Sequence, residues 1–174
     1  DKMALETAVR IADYYANQGD GTYNGLKRFN NYDIEYAPRF ASWPVLLFLS
    51  VYEATGDPYS LNASRIIMDR VMEIQQLNGG WFESALTGGF CACQGKECEG
   101  NMTFMMGLMM HAMDEYIRVT GDDMVVPGLI GAASYVMDNT YEGDGRFRIT
   151  TCPNIRTGAP AHICAGLTAA YYLS

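Results

Sequence analysis

Five cysteines, two histidines and a scatter of acidic and aromatic side chains are the groups in this 174-residue chain that could carry chemistry. Cys91, Cys93 and Cys98 share one short stretch, whereas Cys152 and Cys164 stand apart. In an oxidising compartment a bridge such as Cys91 to Cys98 would suit that cluster. In a reducing one the same thiolates could hold a metal ion, although neither spacing is a standard zinc signature, and free thiols are the third alternative. His111 lies among methionines and reads as a core or inner-wall histidine with its hydrogen bonds met. A glycosidase needs two carboxyl groups facing each other across a bond. Asp33, Glu35, Glu83, Glu97, Glu99, Glu142 and Asp144 lie outside the helical stretches, yet nothing in their spacing singles out a pair. Asp144 reads as part of a turn. Gly79-Gly80 and Gly88-Gly89 lack the spacing and the lysine of a phosphate-binding loop. The methionine-rich stretch from Met102 to Met113 reads as core filler. No cofactor and no metal site is expected from these patterns.

The elements that must position these groups are helices. Apolar residues at Leu5, Ala8, Val9, Ile11, Ala12, Tyr15 and Ala16 give residues 3–17 a helical period. A second helix runs from about Phe40 to Thr55 and is apolar on nearly all sides, with Trp43, Val45, Leu46, Leu47, Phe48 and Val51, which predicts burial. Pro44 is expected in its first turn. A third helix runs from Pro58 to about Leu77, with Ile66, Ile67, Val71, Met72 and Ile74 on one face and Arg65, Asp69, Arg70 and Glu73 outward. A fourth spans about Asn101 to Val119, a fifth about Asp123 to Asp138, and a sixth starts near Pro160. Long connections separate them, at 22–38, around the cysteine cluster, and at Asp144-Gly145-Arg146-Phe147. The net charge of −8 argues against nucleic acid as a partner. No run of eighteen apolar residues exists, so no membrane span is predicted.

The bends repeat. At Thr55-Gly56-Asp57-Pro58, glycine suits the left-handed end of one helix, while Asp57 and Pro58 suit the start of the next. Thr120-Gly121-Asp122 returns 65 residues later. At the same offset Val71-Met72 matches Val136-Met137, and Gly80-Trp81-Phe82 matches Gly145-Arg146-Phe147. Asp20-Gly21-Thr22-Tyr23 matches Gly79-Gly80-Trp81-Phe82 at an offset of 59. Short bends thus gather on one side and long loops on the other, and the loop side is the usual place for binding. Tyr23, Phe82 and Phe147 recur at equivalent positions and read as packing plugs. Trp81, with Thr22 and Arg146 as counterparts, is the aromatic best suited to stack on a ligand ring.

An inner helix ending in Thr-Gly-Asp, an amphipathic outer helix and then Gly-Gly-Trp-Phe resembles the (α/α) toroid of six-hairpin glycosidases and related carbohydrate-active enzymes. Unsaturated glucuronyl hydrolases and the helical domains of polysaccharide lyases are members of that group. The resemblance implies an all-α fold, a helical-hairpin repeat array over residues 1–174 with about three hairpins of a ring, hence one domain of a longer protein. It implies a module of a glycoside hydrolase or polysaccharide lyase acting on polysaccharide or acidic oligosaccharide, secreted or periplasmic. The alternative is a non-catalytic helical repeat that binds protein or glycan or braces a neighbouring domain. The implied ligand lies over the mouth of the ring, at the N-termini of inner helices, where free amides suit anionic sugars. That places Arg39, Asn101, Thr103 and His162 at the site, with Tyr23 and Trp81 as stacking residues. Tyr36, Arg39 and His162 would supply a lyase with a base and a cation. Besides carbohydrate, the partners expected are a second copy or the rest of the protein.

Overall fold

A computed structural model describes residues 2–17, 38–81, 100–152, 157–158 and 163–174. Among them are six α-helices: α1 (Lys2–Asn17), α2 (Arg39–Thr55), α3 (Pro58–Ile74), α4 (Thr103–Thr120), α5 (Val126–Thr140) and α6 (Ile163–Leu173). The all-α expectation holds at that level. The cysteine cluster Cys91, Cys93 and Cys98, together with Tyr23, Asp33, Glu35, Tyr36, Phe82 and His162, lies outside the described residues.

The two bends share their hydrogen bonds as well as their residues. Gly56 and Gly121 adopt φ of 71° and 69°, the left-handed region that costs glycine little. Their amides donate to Tyr52 and Ile117 carbonyls at 2.7 and 2.8 Å. The Thr55 and Thr120 hydroxyls donate back to Val51 and Tyr116 carbonyls, and each also accepts from the following aspartate amide. Asp57 then accepts from the amides of Tyr59 and Ser60 at 3.1 Å, and Asp122 accepts from Met124 at 3.1 Å. These carboxylates satisfy helix-start amides that have no partner within their own helix.

In the interior, α2 packs against α3 and α4, α4 against α2, α5 and α6, and α1 covers part of α2. Glu53, in the last turn of α2, meets Arg118, in the last turn of α4, through two bonds of 2.8 and 2.9 Å. The two helices therefore run in the same direction. Gly166 of α6 lies so close to α4 that a Cβ there would come within 2.3 Å of the Met110 Cβ. The methionine-rich stretch is core, since Met106, Met109, Met110 and Met113 are buried together with Phe48, Ile67, Leu129 and Tyr116. Unbranched thioethers fill the irregular space between three helices.

Four expectations are corrected. Helix α2 begins at Arg39, so Pro44 falls in its second turn, where it cannot donate to the Phe40 carbonyl. That helix is also not buried all round: Trp43 is 53% exposed and Phe40 40%. Its partners α1, α3 and α4 leave one face open. Helix α3 stops at Ile74 rather than near Leu77. There the Gln75 side-chain amide donates to the Gly79 and Gly128 carbonyls at 2.9 Å and pulls the chain into a turn. Gly79, at φ 90°, lies against α5, and a Cβ on it would sit 2.0 Å from the Gly131 carbonyl oxygen. Finally, the connection after α5 is a β-hairpin, β1 (Tyr141–Gly143) with β2 (Arg146–Arg148), turning through Asp144 and Gly145 at positive φ. A third strand, β3 (Thr157–Gly158), pairs antiparallel with β2. The turn at Asp144 is as expected. No helix among the described residues is long and apolar enough to cross a membrane.

Candidate functional site

Three of the residues expected at the ligand come together, in a closed knot. Trp81 follows the Gly79-Gly80 turn, Asn101 precedes α4 and Thr103 opens it. The Trp81 amide donates to Asn101 Oδ1 at 3.2 Å, and the Asn101 amide nitrogen Nδ2 donates to the Tyr135 hydroxyl at 3.1 Å. The Asn101 backbone exchanges bonds with Thr151, its N–H donating to Thr151 Oγ1 and its carbonyl accepting from the Thr151 N–H, both at 3.0 Å. The Thr103 N–H donates to the Ile149 carbonyl at 3.0 Å, and its hydroxyl to the Arg148 carbonyl at 2.6 Å. The Arg148 guanidinium in turn donates to the Asn139 carbonyl and faces Glu142 at 3.5 Å. All three side chains are buried.

This knot ties the turn after α3, the start of α4 and the strand β2 into one unit. The Asn101 amide and the Thr103 N–H are taken by protein, so a sugar would have to displace them. Trp81 has no exposed surface, and its indole N–H donates to the Val71 carbonyl at 2.9 Å. It offers no ring face for stacking, which corrects the expectation placed on it. Phe147, expected to plug the pair, is indeed buried and contacts the Tyr141 ring at 5.1 Å between centroids.

Arg39 opens α2 with its guanidinium over the Phe40 ring, 5.0 Å from the centroid, and its Nε is buried without a hydrogen bond among the described residues. Tyr36 and His162, its expected companions, and Tyr23 lie outside the described residues.

A second locus was missed by the sequence reading. Between α4 and α6 runs a cleft of about 530 Å³, lined by His111 and Asp114 on one side and by Cys164, Thr168 and Tyr172 on the other. His111 is half-buried rather than enclosed, and its Nδ1 is sealed from solvent without a hydrogen-bond partner among the described residues. Burial pushes the Asp114 carboxyl above its ordinary value, and the neighbouring Glu115 adds to the shift, against the opposing pull of His111 and Arg118. One donor atom each from His111, Asp114 and Glu115 lies within 4.8 Å of the others. Glu115 also pairs with Arg118 at 2.5 Å, the same arginine that holds Glu53. The sequence contained a signal: histidine, aspartate and glutamate at i, i+3 and i+4 share one helix face.

These groups belong to a longer face of α4, which packs between α2 and α6. Phe104, Leu108, His111, Glu115 and Arg118 form the partly exposed stripe of α4, and the neighbouring α2 leaves Phe40, Trp43 and Ser50 exposed and Leu47 half-buried. On α6, Cys164, Thr168 and Tyr172 line the cleft. Taken together the three helices offer an exposed indole, apolar rings, hydroxyls, an imidazole and carboxyl groups. That mixture can stack on and hydrogen-bond a polyhydroxylated ligand. The comparisons with known proteins leave the reading to this geometry, since no family model, no curated protein and no solved structure matches the chain.

Proposed function

We propose that this chain is a module of a carbohydrate-active enzyme, built from successive helical hairpins of an (α/α) toroid, that engages polysaccharide or acidic oligosaccharide along the surfaces of α2, α4 and α6. The repeat is supported by the duplicated hydrogen bonding at Gly56 and Gly121, and by α2 and α4 running side by side in one direction. The observation that carries the ligand class is Trp43, a large aromatic left 53% exposed on α2. An indole face excludes water and matches the C–H face of a pyranose, while nearby hydroxyls and carboxyls meet its hydroxyl groups. Arg39, at the start of α2, is the cation suited to a uronate. Export to the periplasm or the medium accompanies such a substrate.

A non-catalytic reading is favoured by three observations. Asn101, Thr103 and Trp81 are consumed by internal bonds, and the described side of the cleft facing Asp114 carries a thiol and hydroxyls rather than a carboxyl. Asp114 and Glu115 are also neighbours on one helix instead of facing each other across a bond, as hydrolysis requires. Binding is therefore the more direct consequence of the geometry. Affinity electrophoresis through gels carrying neutral or uronate-containing polysaccharide tests the proposal. Retardation is expected, with Trp43→Ala weakening it about tenfold, the equivalent of ~1.4 kcal/mol. Unretarded migration in every gel would contradict it.

A further inference from the structure

We propose that His111, Asp114 and Glu115 form a binding site for a divalent transition-metal ion of the zinc class, open to the cleft between α4 and α6. The inference stands on donor geometry and does not depend on the saccharide reading. One nitrogen and two carboxylate oxygens from a single helix already lie within 4.8 Å of one another. An ion bound at about 2.0–2.2 Å from each donor brings such atoms to roughly 3–4 Å apart. Small side-chain rotations cover that difference. The three side chains are half-buried, and His111 Nδ1 has lost water without gaining a hydrogen bond among the described residues. Two carboxyl groups stand beside it. A cation offsets their mutual repulsion and the loss of solvent together.

The donor set selects the ion. Imidazole with carboxylates suits zinc or cobalt(II), whereas magnesium and calcium favour all-oxygen shells. Three protein donors leave a further coordination position, and two of them, His111 and Asp114, line the cleft of about 530 Å³. A hydroxyl, carboxylate or water can occupy that position. Glu115 is the donor with a competitor, because Arg118 already holds one of its oxygens at 2.5 Å.

The test is zinc titration of the full chain against a chromophoric chelator, followed by the cobalt(II) absorption spectrum. A variant with Cys91→Ser, Cys93→Ser and Cys98→Ser removes the clustered thiols that would otherwise compete, leaving the buried Cys152 and the Cys164 thiol of the opposite cleft wall, whose participation the cobalt(II) spectrum reads. The expected result is one equivalent of zinc retained in that variant. Its affinity falls about 100-fold in His111→Ala and by a similar factor in the near-isosteric Asp114→Asn, and least in Glu115→Gln. Circular dichroism and thermal melting of the apo variants control for folding, and the conservative Asp114→Asn keeps the test informative should His111→Ala unfold. Cobalt(II) bound without thiolate charge-transfer absorption would agree with nitrogen and oxygen donors. Absence of a zinc equivalent in the triple serine variant, or an affinity indifferent to both His111→Ala and Asp114→Asn, would overturn the proposal.

Discussion

Trp81 and Trp43 show how the same residue type is assigned opposite work by its surroundings. Trp81 is enclosed, its indole N–H spent on the Val71 carbonyl and its backbone N–H on Asn101. Trp43 stands more than half exposed on α2. Trp81→Phe retains most of the buried ring but leaves the Val71 carbonyl without that donor, so destabilisation of about 1–3 kcal/mol is expected from urea denaturation. Saccharide binding should be unchanged. Trp81 was singled out in the sequence because its repeat counterparts, Thr22 and Arg146, differ in type. Such variation signals freedom from the repeat, but it does not distinguish a ligand contact from a buried bond to a neighbouring helix. His111 illustrates the reverse. Its methionine neighbours in sequence are buried, while the imidazole itself points to a cleft whose other wall, α6, lies more than fifty residues further on. No local pattern encodes that wall. What was local, the i, i+3, i+4 spacing to Asp114 and Glu115, was legible and passed over.

At the scale of elements, the helix ends were the most legible feature because each is written in three residues with a specific job. Thr55, Gly56 and Asp57 bond as their types dictate, and Thr120, Gly121 and Asp122 repeat the scheme. Burial raises the Asp57 carboxyl, but hydrogen bonds from the Ser60 hydroxyl and the Tyr59 and Ser60 amides outweigh it. The net shift is below the ordinary 3.8. A carboxyl held down in the folded state contributes stability that is fully present above its unfolded pKa and is lost as pH falls through the folded one. Asp57→Ala is therefore expected to cost about 1 kcal/mol near neutrality. That difference should shrink when urea midpoints of the two proteins are compared from pH 5 down to pH 2. A constant difference across the range would show that the carboxylate charge plays no part in the cap. The hairpin β1–β2 was less legible, since three-residue strands are too short for an alternating pattern to register. Only its Asp144-Gly145 turn gave a signal. The early end of α3 depends on Gln75 reaching the Gly128 carbonyl 53 residues away, a tertiary contact that helix propensity cannot anticipate.

For the whole molecule, the proposed function rests on the surfaces of α2, α4 and α6. The Gly166 approach to Met110 holds α6 against α4, and the Arg118 bridge to Glu53 holds α4 beside α2. The knot around Asn101 fixes the other end of α4. Three helices clamped in this way present a fixed surface, so ligand binding there needs little ordering of the backbone. The central claim is that saccharide lies against this surface at Trp43. The chain contains two tryptophans, so Trp81→Phe leaves Trp43 as the sole indole emitter. Its emission should be titrated with the oligosaccharide of whichever polysaccharide retards the protein most. The account predicts a saturable blue shift or quench of Trp43, as the indole loses water to the sugar ring. Emission that stays unchanged at a concentration saturating the wild-type protein would place the ligand elsewhere and contradict the account.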